Sequence, residues 1–129
     1  MALVDLIDET FVVCDPEVAA AVVHDPHRWR SWWPDLDLVV FMDRGPLGVR
    51  WSAVGDPRGS VEIWLEAVGD GVMLHHYLRL DPANATPVST RVIRRGVRER
   101  QRRARAWKQQ VWALKDELEA GRRAGEPRR

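Results

Sequence analysis

The apolar positions of this chain change their period along its length. Alternation predicts strands between residues 38 and 80, and a three-to-four spacing predicts one long helix after residue 92. Ahead of both, residues 6–14 (LIDETFVVC) gather β-branched and aromatic types toward their end and predict a first strand. Asp15-Pro16-Glu17 then places an N-cap residue, a first-turn proline and a first-turn acid in succession, which predicts a short helix over 16–24. Asp25-Pro26 repeats the signal for a second short helix over PHRWRSWW, ended by Pro34.

Four alternating segments follow. Leu38, Val40 and Met42 share a face of the first, and Val49, Trp51 and Ala53 share a face of the second. Arg44-Gly45-Pro46-Leu47 and Asp56-Pro57-Arg58-Gly59 are the intervening turns. Val61, Ile63, Leu65 and Ala67 form the inner face of the third segment. Asp70-Gly71 is a hairpin signal because both residues accept positive φ. Placed at the turn, it sets Ala67 against Leu74, Leu65 against His76, Ile63 against Leu78 and Val61 against Leu80. Glu66–His75, Trp64–Tyr77 and Glu62–Arg79 then pair on the outer face, whereas a one-residue slip would set apolar against charged side chains throughout.

Asp81 to Thr90 reads as a loop. The helix predicted from about Val92 to Ala120 carries Ile93, Val97, Ala104, Trp107, Val111, Leu114 and Leu118 on one stripe, interrupted by Arg100. Gly96 weakens it by about 1 kcal/mol relative to alanine, and Gly121 is its expected C-cap. The reading is one domain over residues 1–121 with a flexible basic tail at 122–129.

Composition narrows the class. The chain has 129 residues, 45% hydrophobic and 30% charged, an ordinary globular balance. No apolar run is long enough for a membrane span, and the acids near the start do not suit a signal peptide, so a cytoplasmic location is expected. Cys14 is the single cysteine and has no partner for an internal disulfide. The net charge of +1 hides a split: residues 1–90 carry 6 Lys and Arg against 14 Asp and Glu, and residues 91–129 carry 14 against 5. The two halves can neutralise each other, or the basic half can serve an anionic partner.

The element order is α+β, with an antiparallel meander curved around a long C-terminal helix, each covering the other's apolar face. The residues that carry a resemblance are the strand into Asp15-Pro16-Glu17-Val18, the Asp25-Pro26 break and the Trp29/Trp32-Trp33-Pro34 cluster. Gly48-Val49-Arg50-Trp51 and the Trp107…Val111-Trp112-Ala113-Leu114 helix complete it. Together they resemble the START-like, or helix-grip, superfamily (SRPBCC), and most of all its short actinobacterial-type members labelled polyketide cyclase/dehydrase. The resemblance implies a cavity between sheet and helix that binds apolar small molecules such as lipids or aromatic polyketides, with cyclase or dehydratase activity open. The family usually has six strands after the helix pair; four are read here, unless residues 82–92 hold another.

The residues expected to line such a cavity are Trp33, Met42, Trp51, Ile63, Leu65, Leu74, His76, Leu78, Trp107, Val111 and Leu114. Trp32 and Trp112 are further aromatic candidates, and ordinary core packing is the competing reading for all of these rings. Seven tryptophans are many for a chain of this length. His76, turned inward by the alternation, is the one candidate acid, base or hydrogen-bond donor. His24 and His27 have no third ligand at a recognisable spacing, so no metal and no cofactor is expected. No nucleophile, phosphate-loop or dinucleotide motif is present. Phe41, Trp64 and Tyr77 on the outer sheet face suggest a homodimer contact. The arginines from Arg91 to Arg105 offer nucleic-acid binding as an alternative. Pairing with the acidic half is expected to leave that binding weak at physiological salt. The third alternative is an accessory subunit with a degenerate cavity.

Overall fold

The computed structural model describes residues 3–81 and 89–128. Strand β1 (Val4–Val12) leads into helices α1 (Pro16–Val23) and α2 (Pro26–Trp32). Strands β2 (Asp37–Asp43), β3 (Gly48–Val54), β4 (Arg58–Val68) and β5 (Gly71–Asp81) form a meander, and helix α3 (Thr90–Leu118) closes the chain. The five strands make one antiparallel sheet in the order β1-β5-β4-β3-β2. Four strands therefore follow the helix pair among the described residues. Of the stretch 82–92, residues 90–92 are helical, and 82–88 lie outside the described residues, as does most of the expected loop.

The helix starts form as their sequences dictate. The Asp15 carboxylate accepts from the Glu17 N–H at 2.8 Å, and the Asp25 carboxylate accepts from the His27 N–H at 3.0 Å, each one residue ahead of a first-turn proline. His24 ties α1 to the sheet, with Nε2 2.9 Å from the Asp43 carboxylate. At the other end, α3 is capped by Glu119 rather than by Gly121. The Glu119 carboxylate also accepts from the Val13 N–H and from Lys115.

The β4–β5 hairpin keeps the expected faces and shifts the expected partners. Val68 pairs with Gly71, so the two turn residues are Gly69 and Asp70. Gly69 has φ of 53° and Asp70 a negative φ, the pattern of a turn with glycine at its first central position. The register is consequently moved by two residues. Leu65 faces Leu74, Ile63 faces His76, Trp64 faces His75 and Glu62 faces Tyr77. The expected pairs Trp64–Tyr77 and Glu62–Arg79 are not formed directly across; Glu62 instead meets Arg44 at 3.0 Å, and Arg79 meets Asp5 at 3.8 Å. Leu65 and His76 point inward as expected, at 3% and 1% exposure.

Two apolar stripes differ from expectation. In β2 only Leu38 packs against the core; Val40 and Met42 are both 44% exposed because the strand bulges between them at the sheet edge. In α3, Ile93 and Val97 are half-exposed, and the buried line runs through Gly96, Arg103, Trp107, Val111 and Leu114. Trp112 is 58% exposed on the outer side, with the Lys108 ammonium 5.9 Å from its ring.

Gly96 has a positive reason to be where it is. A β-carbon there would lie 2.8 Å from the Leu3 carbonyl oxygen, so the glycine lets the start of the first strand lie against α3. In an exposed helix Gly→Ala would stabilise by about 1 kcal/mol. Gly96→Ala is expected to gain nothing and to destabilise, because the clash is with backbone. Urea denaturation checks this: a variant more stable than wild type would mean that the contact with Leu3 does not form.

Candidate small-molecule cleft

The interior between sheet and helix is filled by indole rings. α2 ends on Trp32 and Trp33, which Pro34 releases from the helix and the buried environment turns inward, at 7% and 4% exposure. Trp107 comes down from α3 and lies parallel to Trp33, with centroids 5.7 Å apart and planes 1° from parallel. Trp32 meets both of them edge-on, at 5.6 and 5.8 Å. Trp51 of β3 sits beneath, 5.1 Å from both Trp29 and Trp33, and Trp29 is held by donating its indole N–H to the Val23 carbonyl at 2.6 Å. Ring pairs at these separations add about 0.5–1.5 kcal/mol each beyond their burial.

His76 joins this cluster from β5. Its ring stacks on Trp107 with centroids 4.0 Å apart and lies 5.8 Å from Trp33. Both ring nitrogens are buried without a hydrogen-bond partner among the described residues, and so is the indole nitrogen of Trp51. Burial pushes the imidazole down to about 3, outweighing the opposing pull of the Asp8 charge, so the ring is neutral at physiological pH. Asp8 orients the stack instead. It accepts from the Trp107 indole N–H at 3.2 Å and from the Thr10 hydroxyl at 3.0 Å, and it pairs with Lys108 at 2.7 Å.

A cleft of about 390 Å³ opens between α2, β5 and α3. Trp32, Trp33, Trp107, His76, Leu78 and Leu6 form its apolar wall. Ser31, Asp35, Arg102, Arg103 and Gln110 supply its polar groups, and Ala106 its small rim residue. Arg103 is the unusual member, a guanidinium only 8% exposed. It donates to both Asp35 carboxylate oxygens, at 3.3 and 2.5 Å, and lies 2.9 Å from Glu99. Arg102 also reaches Asp35 and Glu99, so both cations are already neutralised by carboxylates. The contact with Arg102 is the largest cause holding the Glu99 carboxyl below its usual range.

Of the residues singled out from sequence, Trp33, His76, Leu78 and Trp107 are brought together along this cleft. Trp51, Ile63, Leu65, Leu74, Val111 and Leu114 lie in the packed core below or beside it, each at 3% exposure or less. Met42 is on the exposed edge strand and Trp112 on the outer side of α3, both away from the cleft. Sequence reasoning does not reach Leu6, Ser31, Asp35, Arg102, Arg103, Ala106 and Gln110 as site residues. The available signal is the break of the Ile93–Val97 stripe, since a buried face running through Gly96 instead leads to Arg103. On the outer face of the sheet, Trp64 and Tyr77 are half-buried and bracket His75, and Phe41 is 62% exposed. No group of three or more metal-binding side chains occurs among the described residues.

This architecture is the helix-grip fold, an α+β arrangement of a curved antiparallel sheet and a long C-terminal helix. No family model matches the chain, and no curated protein matches it. Solved structures do. The solution structure of the Aha1 dimer from Colwellia psychrerythraea is 14% identical, covers 92% of this chain and 98% of its own, and superposes with a TM-score of 0.56. The crystal structure of TTHA0849 from Thermus thermophilus is also 14% identical, with coverages of 85% and 98% and a TM-score of 0.47. The first likeness shows the fold. No helix among the described residues is long and apolar enough to cross a membrane.

Proposed function

We propose that the protein binds an apolar, ring-containing small molecule in the cleft between α2, β5 and α3. The observation that carries this reading is His76, a neutral, almost fully buried ring whose two nitrogens have no partner among the described residues and which forms the cleft wall with Trp33 and Trp107. A buried polar group without a partner costs about 1–3 kcal/mol, and a ligand hydroxyl or carbonyl would remove that cost. The cleft volume falls in the lower part of the range for small-molecule sites, and its aromatic wall is the usual apolar lining, faced here by the polar side chains of Ser31, Asp35, Arg102, Arg103 and Gln110. At physiological pH the neutral ring offers one donor and one acceptor, which suits positioning a ligand better than removing a proton from it.

The test is a thermal-shift and tryptophan-fluorescence screen of flat, apolar compounds against wild type and Ala106→Trp. A ligand that binds the folded state raises its melting temperature by mass action, about 2.7 kcal/mol at a hundredfold excess over Kd. Saturable quenching with a raised Tm in wild type, both lost in an Ala106→Trp variant that still folds, supports the cleft. The absence of any shift across a diverse panel would sink the reading and leave the accessory-subunit role in its place.

A further inference from the structure

The charge split along the chain raises the question of whether the acidic half consumes the arginines of α3. It consumes one side of them. Arg102 and Arg103 pair with Asp35, Lys108 with Asp8, and Arg100 donates to the Asp5 carbonyl at 3.0 Å. The side chains of Arg91, Arg94, Arg95, Arg98 and Arg105 are all exposed and form no ion pair or hydrogen bond among the described residues. Residues 82–88, which precede the helix, read PANATPV and contain no acid. Other acids of the body are engaged elsewhere: Asp43 with His24, Glu62 with Arg44, and Asp70 with Arg128. The expectation that the acidic body satisfies the arginine cluster therefore fails for these five.

Four of the five fall on one line. Arg91, Arg94, Arg98 and Arg105 are spaced by three, four and seven residues, and Trp112 continues the line after seven more. At 3.6 residues per turn all five positions lie within an arc of about 60° on the side of α3 opposite Trp107, Val111 and Leu114. At 1.5 Å per residue the line is about 32 Å long. The result is a rigid, outward-facing ladder of guanidinium groups ending in an exposed indole.

We propose that this line docks the phosphodiester backbone of a single-stranded nucleic acid, with a base stacked on Trp112. Three features select that partner. The free cations are all arginine, whose planar fork bonds phosphate oxygens in pairs. They recur at nearly every turn from Arg91 to Arg98, which matches a polymer with regularly repeated charge. The exposed aromatic at the end of the line supplies the stacking platform that single-strand binders combine with a basic track. An anionic membrane fits less well, because the buried apolar residues of α3 are turned into the protein, exposed Ile93 and Val97 lie off this line, and only Trp112 on it is left to insert. A second copy of the chain fits less well too, since most of its acids are already paired. The inner wall of the cleft, Trp107, comes from the opposite side of α3, while its residues Arg102 and Ala106 flank the line.

The experiment is fluorescence anisotropy with labelled oligouridylate and oligothymidylate long enough to span α3, over a salt series. A duplex and phosphatidylglycerol-containing vesicles run in parallel. The variants are Arg94→Gln/Arg98→Gln/Arg105→Gln, Trp112→Ala, and a charge-matched control, Arg30→Gln/Arg58→Gln/Arg123→Gln. Single-strand binding should be salt-dependent and should quench Trp112. In the α3 variant the salt slope should fall by about 2–3 and the affinity by roughly tenfold or more, with the control close to wild type. All substituted side chains are exposed, and a far-ultraviolet spectrum confirms folding. The proposal is overturned by no binding at low salt, by equal loss in the control, by preference for duplex, or by binding to vesicles alone.

Discussion

Trp107→Ala is expected to lower stability by about 3–5 kcal/mol, the usual cost of emptying a buried aromatic site. Trp107 is 3% exposed and touches Trp32, Trp33 and His76 at once, so its removal takes away three ring contacts. It also strips the Asp8 carboxylate of the indole N–H donor 3.2 Å away. A Trp107→Phe variant keeps a ring against His76 and loses only the hydrogen bond and part of the volume, so its loss should be clearly smaller. Equilibrium urea denaturation of both variants measures this. A loss below about 1 kcal/mol for the alanine variant would show that Trp107 does not hold sheet and helix together.

Lowering the pH from 6.5 to about 4.5 is expected to cost about 2–3 kcal/mol through His76 alone. In the unfolded chain this imidazole takes up its proton near its ordinary value of 6.5, whereas burial holds the folded one down to about 3. Between those values the unfolded state carries the extra proton, so stability falls as the pH is lowered through that window and His76 adds no further loss below about 3. His24 works in the opposite sense. Although desolvation opposes it, the hydrogen bonds to Asp43 and Ala20 raise its value, so its contribution is present at acid pH and fades as the pH rises past that raised value. The carboxyls of Asp43, Glu99, Glu117 and Glu119 are held below their ordinary values, so they act in the same sense as His76, each losing its contribution as the pH falls through its lowered value. Denaturation of wild type and His76→Phe at the two pH values separates these effects. Parallel pH profiles for the two proteins would show that the imidazole is not held neutral by the fold.

Particular residues show what was legible in the sequence. The faces of β4 and β5 were, because alternation has a period of two and burial enforces it: Val61, Ile63, Leu65 and His76 all point inward. The pairing partners were not, for the same reason. A shift of two residues keeps every side chain on its face, so only turn geometry can decide, and Gly69 rather than Gly71 takes the positive φ. The inner end of the cleft was legible through His76, Leu78 and Trp107. Arg103 and Asp35 were not, since a charged side chain on a helix is read as solvent-facing and its partner lies 68 residues away. Exposed Val40 and Met42 mark the opposite error. Their alternation was genuine, but the strand carrying it lies at the edge of the sheet and bulges, and position in the sheet is not written in the pattern of one strand.

The sheet order has a consequence for the order in which the chain is made. β1 leaves the ribosome first, yet the strand it bonds to is β5, with Val12 opposite Val72. Its other edge faces α3, where Arg100 donates to the Asp5 carbonyl and Lys115 to the Phe11 carbonyl. Both borders of β1 thus wait on β5 and α3, whereas β2 to β5 each meet a neighbour made immediately before or after. Loop-closure entropy favours closing the meander locally before β1 is recruited, so the cleft wall at Leu6 and the Asp8 anchor of Trp107 are completed only once α3 is in place.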